Sequence, residues 1–491
     1  MTLLEQCQIW NEHDEYQRII EAIEAVPSGD RTPELDSELA RAYNNLAEVT
    51  DQELFEKAVG LLLPHKEYFK GDHSWNFRLA YACFYLGREG EAKSYFEKAL
   101  EARPGDEDTK EFLDACRRSL SLPRFEKNFR ERTLEAWAAF EKAEAGLRSM
   151  MDREDRDSVA EELIGTCSEI LETAFGDVSF ELGYNGEKYE LILTPEGDKA
   201  QLFQMVYFER HAPAAVLERW NIWVGRQPSI GFSLRSDGNE VSGSDVLVWV
   251  EKQANNRVSL TLYCEKLIPL LQENENRVWW LLCTLTDQIL GEIPSMSCVD
   301  AFDVTDTPRE EPPILLTELP RALESMGLSL NLDAQEYLDN SYSGYEMKPV
   351  EDPDADWRLD VYIASTRLEA LIGEYLRGDS DVMDALHRDG AVGGFLGYPL
   401  DGFAGEQRAA DILDFRDALQ AAITEQAGED AVTFLGGATG LYCGYLDFIA
   451  WDLRPVLGAA KEFFEKSSLK WAAFQTFRRD ADLVFLLDRE Q

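Results

Sequence analysis

The sequence predicts a multidomain protein, an N-terminal α-helical solenoid followed by two α+β domains. Three observations carry that prediction. Residues 72–116 set Leu79, Cys83 and Leu86 along one stripe, break at Gly87 and Gly90, and restart the stripe at Ala92, Phe96, Ala99 and Leu100 before Pro104. That is the pattern of two helices folded back on each other. From residue 158 the texture changes to short strands punctuated by turn residues, as an α+β fold requires. A proline-rich acidic run, TDTPREEPP at 305–313, cannot hold a core and divides that stretch in two.

The arm is expected over residues 1–122. Residues 3–26 carry Trp10, Tyr16, Ile20 and Ile23 at helical spacing, 35–46 carry Leu35, Leu39, Ala42, Tyr43 and Leu46, and 54–64 carry Phe55, Ala58, Val59 and Leu62. One such hairpin cannot bury its apolar face alone, so these helices are expected to stack with that of 72–116. Ala92 and Ala99 let two helices approach closely, with Phe96 filling the wedge between them. Alanine, aromatic, alanine and then Pro104 resembles a tetratricopeptide repeat, a family whose units stack into a curved array and bind a peptide or protein in the concave groove. The resemblance implies that Asn44, Asn45, Asn76 and Tyr81, on the first helices of the units, face that groove. An asparagine amide both donates and accepts, which suits a peptide backbone.

Residues 123–157 read as a connecting helix and hinge. Phe125, Phe129, Trp137, Phe140 and Leu147 form a stripe expected to pack on the domain that follows, and MDREDRDS at 151–158 is a solvated turn. The first α+β domain, 158–304, opens with a helix at 159–174. Strands at 178–182 and 188–193 are joined by GYNGE, where Asn185 and Gly186 supply the positive φ of a tight hairpin. Further strands fit 201–207, 219–224, 230–234, 246–250 and 258–263, and a helix fits 276–290. The second domain, 314–491, has helices at 319–326, 368–376 and 410–426 and strands at 357–365, 431–434, 442–449 and 470–477. GAVGGFLGYPLD at 390–401 reads as a glycine-rich loop beside His387.

The two domains share an order of elements. In each, a glycine-turned hairpin leads to Phe-Glu-basic (Phe208, Glu209, Arg210; Phe464, Glu465, Lys466), then basic-Trp (Arg219, Trp220; Lys470, Trp471), then a strand ending at Arg226 or Arg478. Either a duplicated module or chance similarity between small α+β units accounts for it.

The 48 basic and 93 acidic residues leave a net charge of −45, spread over the whole chain, with −11 on the arm. Such a field suits a partner with a basic surface and repels nucleic acid and anionic membranes, and it also serves simple solubility. The arm's negative balance disfavours the acidic C-terminal tails that lysine-rich and arginine-rich repeats hold. No secretion signal or membrane span is legible, and the eight scattered cysteines read as reduced thiols, so the expected location is cytoplasmic.

Chemistry is thinly represented. No metal-binding spacing, phosphate loop, dinucleotide fingerprint or nucleophile elbow occurs, and no cofactor is expected. The candidate catalytic segment is 435–452, where four glycines accompany Thr439, Cys443, Asp447 and Asp452, a thiol and carboxylates that could meet on a mobile loop. Tight sheet packing, with Asp452 capping the next helix, explains the same residues. The sequence therefore points first to a non-enzymatic adaptor that neutralises or escorts a basic partner, as an immunity protein does. The alternative is an enzyme using Cys443, Asp447 and Asp452.

Overall fold

Thr2, Thr32, Asp51, Asp72 and Asp106 each accept a backbone N–H at the start of an arm helix, satisfying donors that helix geometry leaves unpaired. They set the starts of α1 (Leu3–Glu12), α3 (Pro33–Leu46), α4 (Gln52–Leu62), α5 (His73–Tyr85) and α7 (Glu107–Ser121); α2 (Tyr16–Glu24) and α6 (Glu89–Ala102) lack a side-chain cap. In this computed structural model, residues 1–229, 231–236, 239–253 and 255–489 are described. Cys7, Ile20, Leu39, Phe55, Val59, Trp75, Leu79, Cys83, Phe96, Leu113 and Cys116 share one continuous arm core. The stripe read from residues 72–116 is therefore the buried face of α5 and α6.

The chain divides into two compact units. One comprises Met1–Arg130 with Gly344–Gln491, the other Glu131–Ser343. Helix α8 (Phe129–Met151) carries the chain from the first to the second.

In the second unit α8 is followed by α9 (Ala160–Leu171) and the hairpin of β1 (Ser179–Tyr184) and β2 (Tyr189–Thr194). The expected turn is there, but Gly186 alone supplies the positive φ, +96°; Asn185 contributes its Oδ1, which accepts from Glu187 N and Lys188 N. Helix α10 (Lys199–Arg210) and a short α11 (Ala214–Leu217) lead to β3 (Trp220–Val224), which runs parallel to β2 in a sheet ordered β1-β2-β3. The expected strand at 201–207 is part of α10. All residues from Leu202 to Phe208 are buried, so the helical period has no polar face to reveal it. Asp198, which caps Ala200 and Gln201, is the signal that marks the helix start.

Next come a small hairpin, β4 (Ser233–Ser236) with β5 (Asn239–Ser242), then β6 (Leu247–Lys252), β7 (Val258–Tyr263), α12 (Ile268–Glu273), α13 (Glu275–Leu290), α14 (Glu292–Cys298), β8 (Val299–Val304) and β9 (Ile314–Leu315). Of the strand expected at 230–234, Ile230 lies outside the described residues. The proline-rich run 305–313 joins β8 to β9, two strands of one sheet ordered β8-β7-β6-β9. Leu316, Leu319, Leu323 and Leu328 belong to the same core as that sheet, so α15 (Leu319–Ser325) and α16 (Ala334–Asn340) complete this unit rather than open another.

The last segment contains β10 (Ser343–Glu346), β11 (Val361–Thr366), α17 (Glu369–Arg377), α18 (Asp381–Arg388), β12 (Val392–Pro399), α19 (Arg408–Ala427), β13 (Val432–Gly440), β14 (Cys443–Ala450), α20 (Leu453–Lys466), β15 (Trp471–Thr476) and β16 (Val484–Asp488). The strands form one sheet ordered β10-β11-β13-β14-β12-β15-β16. Helices α19 and α20 share a core with Leu396, Tyr398, Leu446, Phe448 and Phe474 on one face. The glycine-rich run at 390–401 is thus not a loop but the interior strand β12, every residue of which is buried. Its glycines serve packing: a Cβ on Gly397 would collide with the Trp357 ring.

The hairpin, helix and strand order does recur in the two regions, and the third strand is parallel to the second in both. The sheets differ, however, because β12 is inserted between β14 and β15, whereas β2 and β3 are direct neighbours. The differing strand order counts against a duplicated module and leaves chance similarity between small α+β units.

Helix α6 of the arm docks on the last segment. A Cβ on Gly90 would overlap the Asp384 carboxylate, Lys93 pairs with Asp480, and His387 Nε2 lies 2.9 Å from Glu89 Oε2. Gly90 thus sits inside α6 as a contact point; the chain turns at Gly87, with φ +70°. The aromatic stripe of 125–147 splits. Phe129 packs on Trp451 and Phe125 on His387, within the first unit, while Trp137 stacks on Phe208 and Phe140 meets Trp220 edge-on within the second.

Candidate functional site

Four aromatic residues recur along one side of α5 at Phe77, Tyr81, Phe84 and Tyr85, and all are partly exposed. Spacings of three and four residues place them on one flank. Phe112 of α7 joins them, with ring centroids 5.9 Å from Phe77, 5.3 Å from Tyr81 and 5.4 Å from Phe84. Buried Phe55 of α4 supports the other end, stacked 5.1 Å from Tyr85. Burial and a hydrogen bond with Tyr85 push the Tyr81 hydroxyl up to about 12, so it stays a neutral donor at physiological pH. The stripe offers rigid, amphipathic rings, the side chains that contribute most to protein recognition.

The other arm residues expected in the groove occupy different places. Asn44 is buried and its Nδ2 donates to Arg78 O at 2.9 Å, tying α3 to α5. Asn76 is also buried and donates to Asp72 O at 2.7 Å, within the first turn of its own helix. Asn45 is exposed and its Nδ2 lies 3.4 Å from Asn11 Oδ1. Of the four, Tyr81 is the one that joins the aromatic flank. Phe112 was not singled out from sequence because its part in the flank depends on how α7 docks.

In the last segment Cys443, Tyr445 and Asp447 share one face of β14 by strand alternation. Asp447 is fully buried and holds Arg358 through two bonds, Nη1–Oδ1 at 2.6 Å and Nη2–Oδ2 at 3.1 Å. Arg358 also donates to Tyr345 OH at 3.0 Å, and the rings of Phe395, Tyr445 and Phe477 surround it at 5.1, 5.2 and 5.3 Å. Asp360 accepts from Tyr442 N, Cys443 N and Tyr445 OH. Burial, reinforced by Asp360, pushes the Cys443 thiol up to about 12, so it is protonated near neutral pH and a poor nucleophile. Asp452 stands at the N-cap of α20 without a side-chain capping bond. Asp447 is thus engaged by a buried cation and Cys443 has its proton, an arrangement that holds a sheet together. Arg358 escaped notice in the sequence because it lies 89 residues from its carboxylate.

Residues 76–106 match the tetratricopeptide repeat family. The match covers α5 from Asn76 onward, the turn at Gly87 and α6, the hairpin whose first helix bears the aromatic flank. No curated protein and no solved structure matches the chain. Among the described residues, no group of three or more His, Cys, Asp or Glu side chains is placed to hold a metal ion, and no helix is long and apolar enough to cross a membrane.

Proposed function

We propose that the protein is a non-enzymatic adaptor that binds a partner protein through the arm. The observation that carries this is the coincidence of the tetratricopeptide match with a contiguous row of partly exposed rings, Phe77, Tyr81, Phe84, Tyr85 and Phe112. Repeats of this kind generally mediate binding to partner proteins. The net charge of −45 favours a basic partner, since charge complementarity raises encounter rate and specificity more than affinity. Neutralising or escorting a cationic protein, in the manner of an immunity partner, is the concrete form of this reading.

Affinity capture from lysate of the source cell at low salt, repeated at higher salt and with Tyr81→Ala and Phe84→Ala, tests it. A bound protein whose yield falls with salt, as screening requires, and falls again in the folded variants is the expected result. Absence of any salt-sensitive partner, or capture that is indifferent to both substitutions, would refute it.

A further inference from the structure

The arm has six lysines, Lys57, Lys66, Lys70, Lys93, Lys98 and Lys110. Three are ion-paired: Lys57 with Glu53 at 2.5 Å, Lys110 with Glu107 at 2.7 Å, and Lys93 with Glu97 at 3.2 Å and with Asp480. The other three, Lys66, Lys70 and Lys98, line a single cavity of about 490 Å³ bounded by the linker 66–71, the start of α5 and the end of α6. Among the described residues none of these three has an ion-pair partner within 4 Å, although Glu67 and Glu101 also line the cavity. The lining therefore gathers three lysines against two glutamates in a strongly acidic chain, a local balance that net charge does not report.

The walls are aromatic. Phe69, Trp75 and Tyr95 line the cavity, with Phe69 stacked on Trp75 at 6.1 Å and Tyr95 edge-on to it at 6.0 Å. Lys66 and Lys98 flank the Tyr95 ring, their Nζ atoms 6.0 and 4.7 Å from its centroid. Trp75 is 2% exposed and its Nε1–H has no acceptor. The volume falls within the range of small-molecule sites. Trp75 and Phe77 are two residues apart, about 200° around the helix, so the cavity lies on a different flank of α5 from the aromatic row.

We infer that this cavity binds an amphipathic anion, an aromatic or aliphatic body bearing a carboxylate or phosphate, with the body against Phe69, Trp75 and Tyr95 and the charge among Lys66, Lys70 and Lys98. Such a ligand is either a free small organic acid or the C-terminal residue of a peptide. The site is independent of the adaptor reading, since it uses none of the residues of the aromatic row.

The test uses the full chain, with calorimetry and the Trp75 indole N–H resonance, assigned by its loss in Trp75→Phe. The probes are N-acetylphenylalanine, its neutral primary amide, phenyl phosphate, inorganic phosphate and a Gly-Gly-Phe peptide with a free carboxylate. N-acetylphenylalanine and phenyl phosphate should bind saturably and move the Trp75 resonance. The amide and inorganic phosphate should bind much more weakly, and combining Lys66→Gln with Lys98→Gln should raise Kd about tenfold or more. Tighter binding of the peptide than of N-acetylphenylalanine identifies a peptide end, and weaker binding identifies a free acid. No saturable binding of either acid up to about 10 mM, equal binding of acid and amide, or an unchanged Kd in the lysine variant overturns the inference. The lysines are exposed, so that variant keeps the test decisive if Trp75→Phe fails to fold.

Discussion

Replacing Asp447 by leucine leaves the Arg358 guanidinium without its carboxylate at a position where Arg358 is 1% exposed. Two short bonds are lost, at 2.6 and 3.1 Å, and only Tyr345 OH and three ring faces remain around the charge. Breaking one partner of a buried pair costs about 3–5 kcal/mol. Arg358→Met strands the fully buried Asp447 in the same way and should cost a similar amount. Combining the two removes both charges together, and apolar replacement of a whole buried pair is often near neutral. The double variant should therefore be more stable than either single one. Methionine shares the φ of +67° that Arg358 holds, so that strain cancels, but Tyr345 OH loses its bond from Arg358 and full recovery is not expected. Urea unfolding followed by far-ultraviolet circular dichroism measures all four corners of the cycle. Costs that simply add to within about 0.5 kcal/mol would show that the two residues do not act as a pair and would refute the reasoning.

Trp137→Ala should destabilise the second unit by about 3–5 kcal/mol, because the ring is 1% exposed and stacks 4.5 Å from Phe208. Trp137→Phe, which loses mainly the 2.8 Å bond to Phe208 O, should cost only about 1–2 kcal/mol; equal losses in calorimetry would contradict this. Burial, opposed by a bond from Ser295 and aided by Glu292, raises the Asp287 carboxyl to about 7. The folded state then holds a proton that the unfolded state releases near pH 4, so this group's stabilisation is present at acid pH and lost as pH rises to about 7, at up to about 1.4 kcal/mol per unit. Asp287→Asn should flatten that part of a stability-against-pH curve, and an unchanged slope would sink the assignment. Gly90→Ala places a methyl against the Asp384 carboxylate, which Arg478 holds in place. A loss of about 1–3 kcal/mol is expected from such overpacking, and an unaltered melting temperature would show that the contact yields freely.

The arm was legible because amphipathic helices expose their period: Leu79, Cys83, Ala92, Phe96 and Ala99 are all buried as the spacing required. The Asn185–Gly186 hairpin was legible from its turn chemistry. Buried elements were not. Helix α10 has apolar neighbours around most of its circumference and β12 is rich in glycine, so the first resembled a strand and the second a loop. The aromatic flank was half visible, through Tyr81. Asn44 and Asn76 carry the right chemistry for a peptide backbone, but which way an amide points depends on the neighbouring helix, and both point into the arm. The lysine cavity was hidden by arithmetic: a balance of −11 over the arm averages away three cations that only the folded chain gathers.

The first unit is built from both ends of the chain, and this affects how it can be made. Thr476 Oγ1 donates to Leu120 O, and Asp482 N donates to Ser121 Oγ, contacts that span 356 and 361 residues. A ribosome adding about 5–20 residues per second releases the arm on the order of 20–70 s before the strand that anchors α7 exists. During that interval Gly90, Lys93 and Ser121 face water, and the intervening residues can fold as their own unit. The arm's aromatic row is then on display well before the last segment reaches α6 and the end of α7, so a partner that recognises the row can meet the protein while it is still being synthesised.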